Sequence, residues 1–558
     1  MLFHSSREVN APAIQNLEAK IQHAGDTIHL KRLRNSLLNV SIFLPPEILA
    51  HIFWWTVVSG LNPSGRISGG TFSFLLVCRY WFDVATSTPS LWAFWGPSLR
   101  QCTVFHPYSG AVPLHLNLTN VSSDREVKSP SCVLRDWNVQ RRIRHLDIHT
   151  TPRILAEILS LMSTPQPSSV RSQIQSLTLA VEGLWDPGHP GEFPDITDFL
   201  GARFPSELRI LHIRGCALGW ESLILCTSKL THLFIHAPNG STKPTVLQLA
   251  ALFAGNSALE EIDLSLEIIS TPEGSLSRTP TSIFLPHLRR LTVRGSVTGH
   301  TRLLNRLTFS DALKQVNTDL FLDGIMMDVP AALAPFLQNL FLACQPSQLA
   351  IHILYASAGL DINLSRPGER GDPEDFLMLK MSSRDVPLWD LVSSLPEEVV
   401  SRLPTTSITS LRIRRHSSVY RQDFRRLFRM LSSVQELRIT HSDIHDIVQV
   451  LASPSPTGED DEPALLPRLH TFQLREIDFT SSLHFDTATH LGHFLEQRCR
   501  DGLPLGRLSM VYCPHISLDA CSGFAGSLSD HFCWDRHEAA SARQLVCETC
   551  HTGWGDLD

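Results

Sequence analysis

Ile143-Arg-His-Leu146-Asp-Ile148 recurs down this chain in closely related form. The next copies read Ile174-Gln-Ser-Leu177-Thr-Leu179, Leu208-Arg-Ile-Leu211-His-Ile213, Leu230-Thr-His-Leu233-Phe-Ile235, Leu259-Glu-Glu-Ile262-Asp-Leu264 and Leu288-Arg-Arg-Leu291-Thr-Val293. Later copies are Ile408-Thr-Ser-Leu411-Arg-Ile413, Val434-Gln-Glu-Leu437-Arg-Ile439, Leu469-His-Thr-Phe472-Gln-Leu474 and Leu505-Gly-Arg-Leu508-Ser-Met510. Each copy ends in an alternation of apolar and other residues, which is the period of a strand with one face buried. The central anchors step by 31, 34, 22, 29 and 29 residues from Leu146 to Leu291, and the later ones by 26, 35 and 36 from Leu411 to Leu508.

Between these runs the apolar period becomes helical. Ile154 to Leu161, Val246 to Phe253 and Phe424 to Leu431 read as helical returns. A strand with one return cannot bury its apolar side alone, whereas stacked neighbours share a continuous core. The pattern resembles a leucine-rich repeat of the long, irregular type, without the asparagine ladder of short repeats. An ordinary α/β domain alternates strand and helix in the same way, but ten copies would then need a very wide sheet. The 120 residues from Leu291 to Leu411 have room for about four more units. Degraded candidates there are Leu320-Phe-Leu322, Ile351-His-Ile353-Leu354 and Phe376-Leu-Met-Leu379, and Val112 to Leu118 is a candidate opening strand.

The chain has 558 residues, 43% apolar and 18% charged. That composition supports several domains or one long array, and it excludes a disordered chain. Lys and Arg number 48 against 55 Asp and Glu, a formal charge of −7. So even a balance argues against bulk electrostatic binding to nucleic acid or an anionic membrane. The 12 cysteines lack the spacing of a secreted disulfide scaffold, which points to a reducing, intracellular compartment, cytoplasmic or nuclear. No signal peptide is read in Met1 to Pro12. The most apolar stretch, Ile48 to Val58, contains His51 and is too short to span a bilayer.

The region before the repeats has two parts. Residues 1–40 carry Ile14, Leu17, Ile21, Ile28, Leu30, Leu33 and Leu37 at helical, nearly heptad spacing, with Gly25 interrupting and Lys31 at a seam position. The expectation is a short amphipathic helix rather than a coiled coil. Residues 41–96 open on Leu44-Pro45-Pro46-Glu47-Ile48-Leu49. Proline in a first helical turn gives up no hydrogen bond, because amides there have no intrahelical partner. Ile48, Ile52 and Phe53 are expected to line one face of this helix. Ser59 to Thr71 reads as a loop, Phe74 to Trp81 as a second helix, and Pro89 as starting or interrupting a last one.

Taken in order, Leu44-Pro45-Pro46-Glu47-Ile48-Leu49-x-x-Ile52-Phe53, a spacer, Val77-Cys78-Arg79-x-Trp81 and Pro89-Ser90-Leu91-Trp92 closely resemble an F-box. The type resembled is fungal, with a helical segment before the box and leucine-rich repeats after it. Two features depart from it: the insert is long, and Phe82 stands where a basic residue often follows the tryptophan. The resemblance implies an α/β chain with a small helical F-box domain at 41–96, an irregular leucine-rich-repeat-like solenoid at 97–515, and a tail or cap at 516–558. It also implies a role as the substrate-recognition subunit of an SCF-type ubiquitin ligase. The box would dock a Skp-type adaptor, and through it a cullin, while the repeats hold a protein substrate. Such a subunit performs no covalent chemistry and needs no cofactor. The residues the resemblance assigns to adaptor contact are Leu44, Pro45, Pro46, Glu47, Ile48, Leu49, Ile52, Phe53, Val77, Cys78 and Trp81. These are more apolar groups than a helical piece of about 50 residues buries unaided, so some should face a partner. Trp81 and Trp92 are expected to pack inward and join the box to the first repeat. In the competing reading, the box only caps the open end of a repeat-based binding scaffold.

Other chemistry finds less support. Cys547-Glu-Thr-Cys550-His551, with His531, Cys533 and His537 upstream, offers one C-x-x-C pair. A second pair and zinc-type histidine spacing are missing, so no metal is assigned. Arg412, Arg414, Arg415, Arg421, Arg425, Arg426 and Arg429 form a basic stretch, read as a solvated convex face. Arg414 and Arg415, leaving a strand, are the weak candidates for substrate contact. Glu459-Asp-Asp-Glu462 reads as an exposed loop. Phosphate-cradling, dinucleotide, nucleophile-elbow and zincin motifs are absent from the sequence. The histidines beside strand anchors, such as His145, His149, His212, His232 and His236, default to surface or satisfied roles.

Overall fold

A computed structural model describes residues 12–13, 15–21, 29–31 and 33 near the N-terminus. From 44 to 534 it describes all but 61–70, 97–98, 122–133, 163–172, 182–192, 198, 201–206, 221–228, 238–241, 270–281, 323–328, 345–348, 357–358, 368–372, 384–399, 402–404, 416–421, 441–443, 453–463, 478, 480–486, 514–515, 517–522 and 525. The chain is a mixed α/β protein that divides into two compact units, Met1–Ile224 and Leu225–Asp558. Of the expected N-terminal helix, residues 15–21 and 29–31 are helical; Leu17 is buried and Leu33 exposed. The acidic run at 459–462 lies outside the described residues, as do Arg421, His537 and the Cys547 to His551 cluster.

The first unit opens with helices α1 (Pro46–Ser59) and α2 (Arg79–Thr86), then β1 (Phe94–Trp95) and α3 (Leu99–Tyr108). After them come β2 (Leu114–Val121), β3 (Ile143–Thr150), α4 (Pro152–Met162), β4 (Ser176–Val181) and β5 (Ile210–Arg214). Each strand pairs in parallel with the next, from β1 to β5. The register aligns Leu116, Leu146, Leu177 and Leu211 in one row and Leu118, Ile148, Leu179 and Ile213 in the next. All eight are buried. Helix α4 buries Ile154, Leu155, Ile158, Leu159 and Met162, the positions its helical period selects.

The second unit begins with β6 (His232–His236), α5 (Val246–Gly255), β7 (Glu261–Ser265), β8 (Ile283–Leu285) and β9 (Arg290–Ser296). It continues through α6 (Val297–Leu304), β10 (Leu307–Phe309), β11 (Gln315–Leu322), α7 (Val329–Cys344), β12 (Leu349–Ala356), β13 (Gly359–Pro367) and β14 (Pro373–Ser383). The last elements are β15 (Ile408–Arg415), α8 (Gln422–Met430), β16 (Glu436–Thr440), α9 (His445–Ala452), β17 (Thr471–Arg475), α10 (Thr487–Arg500), β18 (Leu505–Val511) and β19 (Leu528–Trp534). Helix α5 starts at a capping box: the Gln248 amide donates to Thr245 Oγ1 at 3.2 Å, and the Thr245 amide donates to Gln248 Oε1 at 2.8 Å. At its other end buried Asn256 accepts from the Leu230 amide at 3.1 Å, which ties the helix to the start of β6.

The repeat anchors align across this unit. Leu233, Ile262, Leu291 and Val316 share one row, and Leu411, Leu437, Phe472 and Leu508 share another. The interval between them corrects the expectation of further regular units. Strand β11 pairs with β14, not β12; β14 pairs with β13, β13 with β12, and β12 with β15. Strand β13 runs antiparallel to both neighbours, while the other pairings are parallel. A three-strand meander therefore occupies this interval, and it keeps the row of anchors unbroken through Leu377, Leu364 and Ile351. A separate two-stranded parallel sheet, β8 with β10, was not read in the sequence.

A buried titratable group gives one test of this core. His300 on α6 is fully buried, and its Nδ1 donates to the Ser296 carbonyl at 2.8 Å. The ring fits because residue 295 is glycine, with φ of +152°; a Cβ there would lie 2.3 Å from His300 Cε1 and 2.3 Å from the Leu266 carbonyl oxygen. Burial pushes the His300 pKa from 6.5 down to about 4, against the smaller raising effect of its backbone hydrogen bond. Below pH 6.5 the unfolded chain takes up a proton that the folded chain refuses until about pH 4. The contribution of His300 to stability is therefore full above pH 6.5 and is lost as the pH falls toward 4, with a slope of at most about 1.4 kcal/mol per pH unit. His300→Gln removes that share of the slope, as denaturant melts across this range will show. An unchanged slope would mean that His300 is not neutral in the fold.

Candidate functional site

Helix α1 begins where Pro45 leaves the helical backbone, at φ −51° and ψ 143°. The Ile48 and Leu49 amides donate to its carbonyl at 3.0 and 3.1 Å, Pro46 fills the first turn, and Glu47 sits near the positive end of the helix dipole. The far end stops at Gly60, where a Cβ would lie 2.3 Å from Thr71 Oγ1. The two ends of the 61–70 insert thus meet, so its length does not disturb the helices on either side.

The expected single apolar face of α1 is two faces. Leu49, Phe53 and Val57, at spacing of four, are buried. Phe53 stacks on Phe74 at 4.3 Å and tilts against Trp81 at 5.0 Å. The Tyr80 hydroxyl donates to the Leu44 carbonyl at 2.8 Å and holds the chain entering α1 against α2. On the other face Ile48, Ile52 and Trp55, at i, i+4 and i+7, are 51%, 44% and 54% exposed. Leu76 and Val77, just before α2, are 89% and 50% exposed. Trp55 is fixed by donating its indole N–H to His51 Nε2 at 2.9 Å and by its edge contact with Trp54 at 5.1 Å.

Of the residues assigned to adaptor contact, Pro45, Pro46, Glu47, Ile48, Ile52 and Val77 are exposed. Leu44, Cys78 and Trp81 are half-buried, and Leu49 and Phe53 are buried on the inward face of α1. Trp55 and Leu76, also exposed, are not among the residues that the sequence assigns. The signal for Trp55 was its spacing from Ile48 and Ile52; Leu76 carried none. Trp92 is buried, stacks on Phe72 at 5.5 Å, and meets Phe105 and Tyr108 of α3 at 5.1 and 4.9 Å. Its indole donates to the Ala85 carbonyl at 2.8 Å. The Arg142 guanidinium donates to Ser109 Oγ at 2.8 Å and to the Val112 carbonyl at 3.0 Å, joining α3 to the start of β3.

Arg414 lies on the face of β15 opposite its buried anchors; Arg415 is the strand's last residue, and its side chain lies outside the described set. No group of three or more His, Cys, Asp or Glu among the described residues is placed to hold a metal ion. No described helix is long and apolar enough to cross a membrane. No protein-family model matches the chain, and no curated protein sequence matches it.

Proposed function

We propose that this chain is the substrate receptor of an SCF-type ubiquitin ligase, with α1, α2 and the turn between them forming an F-box that docks a Skp-type adaptor. The observation that carries this reading is the double apolar character of α1. One face is fully used inside the protein; the second, at Ile48, Ile52 and Trp55, is in solvent, as are Leu76 and Val77 just before α2. A helix apolar on both sides needs cover on both sides. Burying one such side chain is worth roughly 1.5–3 kcal/mol, so a few at the centre of an interface form a hot spot. Of these exposed residues, Ile48, Ile52 and Val77 sit within the sequence elements that resemble the family, and Trp55 and Leu76 lie just outside them. The same reading takes the parallel strand array as an irregular leucine-rich-repeat-like solenoid that holds a protein substrate. The chain would contribute no covalent step, only the local concentration of substrate beside the ligase's reactive centre.

A pulldown of the purified chain with a Skp-type adaptor tests the docking. Wild type should bind, and the Leu44→Ala, Pro45→Ala double variant should not, while its melting point stays within a few degrees. Absence of binding by folded wild type would move the reading to a binding scaffold on which the box is only a cap.

A further inference from the structure

The outward face of α1 holds one large ring in place. Trp55 is exposed, yet its indole N–H donates to His51 Nε2, one turn earlier, at 2.9 Å. The two rings meet edge to face, with 6.1 Å between centres and 89° between planes. Half-buried Trp54 completes the cluster: its ring lies 6.2 Å from His51, nearly parallel at 13°, and 5.1 Å from Trp55 at 79°. The other exposed apolar side chains here, Ile48, Ile52, Leu76 and Val77, are aliphatic and have no polar atom by which to be held.

A hydrogen bond in solvent contributes little to folding, because water offers the same bond when it is broken. Its consequence here is orientation. An indole can only donate, so His51 Nε2 is unprotonated and the neutral ring carries its proton on Nδ1. The bond keeps an exposed side chain in one orientation, which removes part of the ordering cost that an interface otherwise bears. It also satisfies the indole N–H within the chain. A partner that covers Trp55 therefore strands no buried donor, the penalty that an unpaired indole meets in an apolar pocket.

We propose that Trp55 is the anchor of the adaptor interface and that His51 is its positioning residue, presenting the indole already oriented and already hydrogen-bonded. Neither belongs to the set that the family resemblance assigns to adaptor contact. The partner surface is an apolar pocket of indole size that needs no acceptor for the indole N–H. The identity of the partner rests on the receptor reading above; the role of His51 rests on the geometry of the ring cluster.

The test is titration calorimetry of the full chain with a purified Skp-type adaptor, beside a thermal melt of each preparation. Trp55→Ala should weaken binding by at least about 30-fold, the range of a hot spot. His51→Ala should weaken it roughly three- to tenfold, the share due to ordering one side chain. His51→Gln, whose carboxamide oxygen accepts the same N–H, should restore binding to within about twofold of wild type. The deciding readout is a double-mutant cycle. In a Trp55→Phe background, which keeps a ring and removes the N–H, His51→Ala should cost less than about twofold further. An equal cost in both backgrounds overturns the proposal, because His51 would then act without the indole. Wild-type affinity that Trp55→Ala lowers by less than about threefold also overturns it, while the receptor reading survives with its anchor elsewhere on the box. No binding by folded wild type removes the receptor reading and the anchor together. Should Trp55→Ala melt early, the cycle on Trp55→Phe decides the case.

Discussion

Ile52→Asp combined with Leu76→Asp should weaken adaptor capture by at least about 100-fold and leave the unfolding transition where it is. Both side chains are exposed, so a carboxylate at either position stays hydrated in the free protein. In a complex the same carboxylates would be taken from water without a partner. Loss of two hot-spot contacts exceeds the roughly 2.7 kcal/mol that 100-fold represents. Titration calorimetry with a purified adaptor, beside a thermal melt, reads both quantities. Retained affinity in the double variant would place the interface elsewhere.

Phe53→Ala, one residue along, should fail for the opposite reason. Phe53 is almost wholly buried between Phe74 and Trp81. Truncating a core phenylalanine to alanine costs about 3–5 kcal/mol, through lost burial and the cavity left behind. A small helical piece has little stability to spare, so this variant should lose the fold of the box and adaptor binding with it. The measurement is denaturant unfolding followed by tryptophan fluorescence, to which Trp81 and Trp92 report. A loss below about 1 kcal/mol would show that the stack is not the keystone of the box. Together, Ile52 and Phe53 separate docking from folding on adjacent residues of one helix.

The strand anchors were legible because a buried strand face imposes a period of two and stacking imposes near-constant spacing. Leu146, Leu177, Leu211, Leu411, Leu437 and Leu508 all lie in the core where those two rules put them. The helical returns at 152–162, 246–255 and 422–430 were legible for the same reason, from their own period. Strand order was not. Leu360, Ile362 and Leu364 alternate as clearly as any anchor, yet their run follows Ala356 too closely for a helix, and that gap marks a reversal rather than a new unit. The two faces of α1 were half legible: apolar residues at 48, 49, 52 and 53 show that the helix is greasy, but only packing shows which pair is spare. The surroundings of the arginine stretch were not legible, because sequence neighbours are not sheet neighbours. Strand alternation puts Arg412 and Arg414 on the side away from the anchors, while α8 buries Phe424, Leu427 and Phe428. The sheet neighbours that Arg412 does acquire, His352 and Arg438, come from strands 60 residues earlier and 26 residues later.

The meander also sets a timetable for synthesis. Strand β11 ends at Leu322, but the partner for its open edge is β14, which ends at Ser383. At about 5–20 residues per second, roughly 3–12 s of translation separate the two. For that interval the nascent chain presents a row of unpaired backbone donors and acceptors beside a finished half-sheet, the arrangement most prone to capture by another chain. A ribosome that stalls or terminates between these strands releases a product whose sticky edge is built in, so this stretch is where the protein most needs a chaperone.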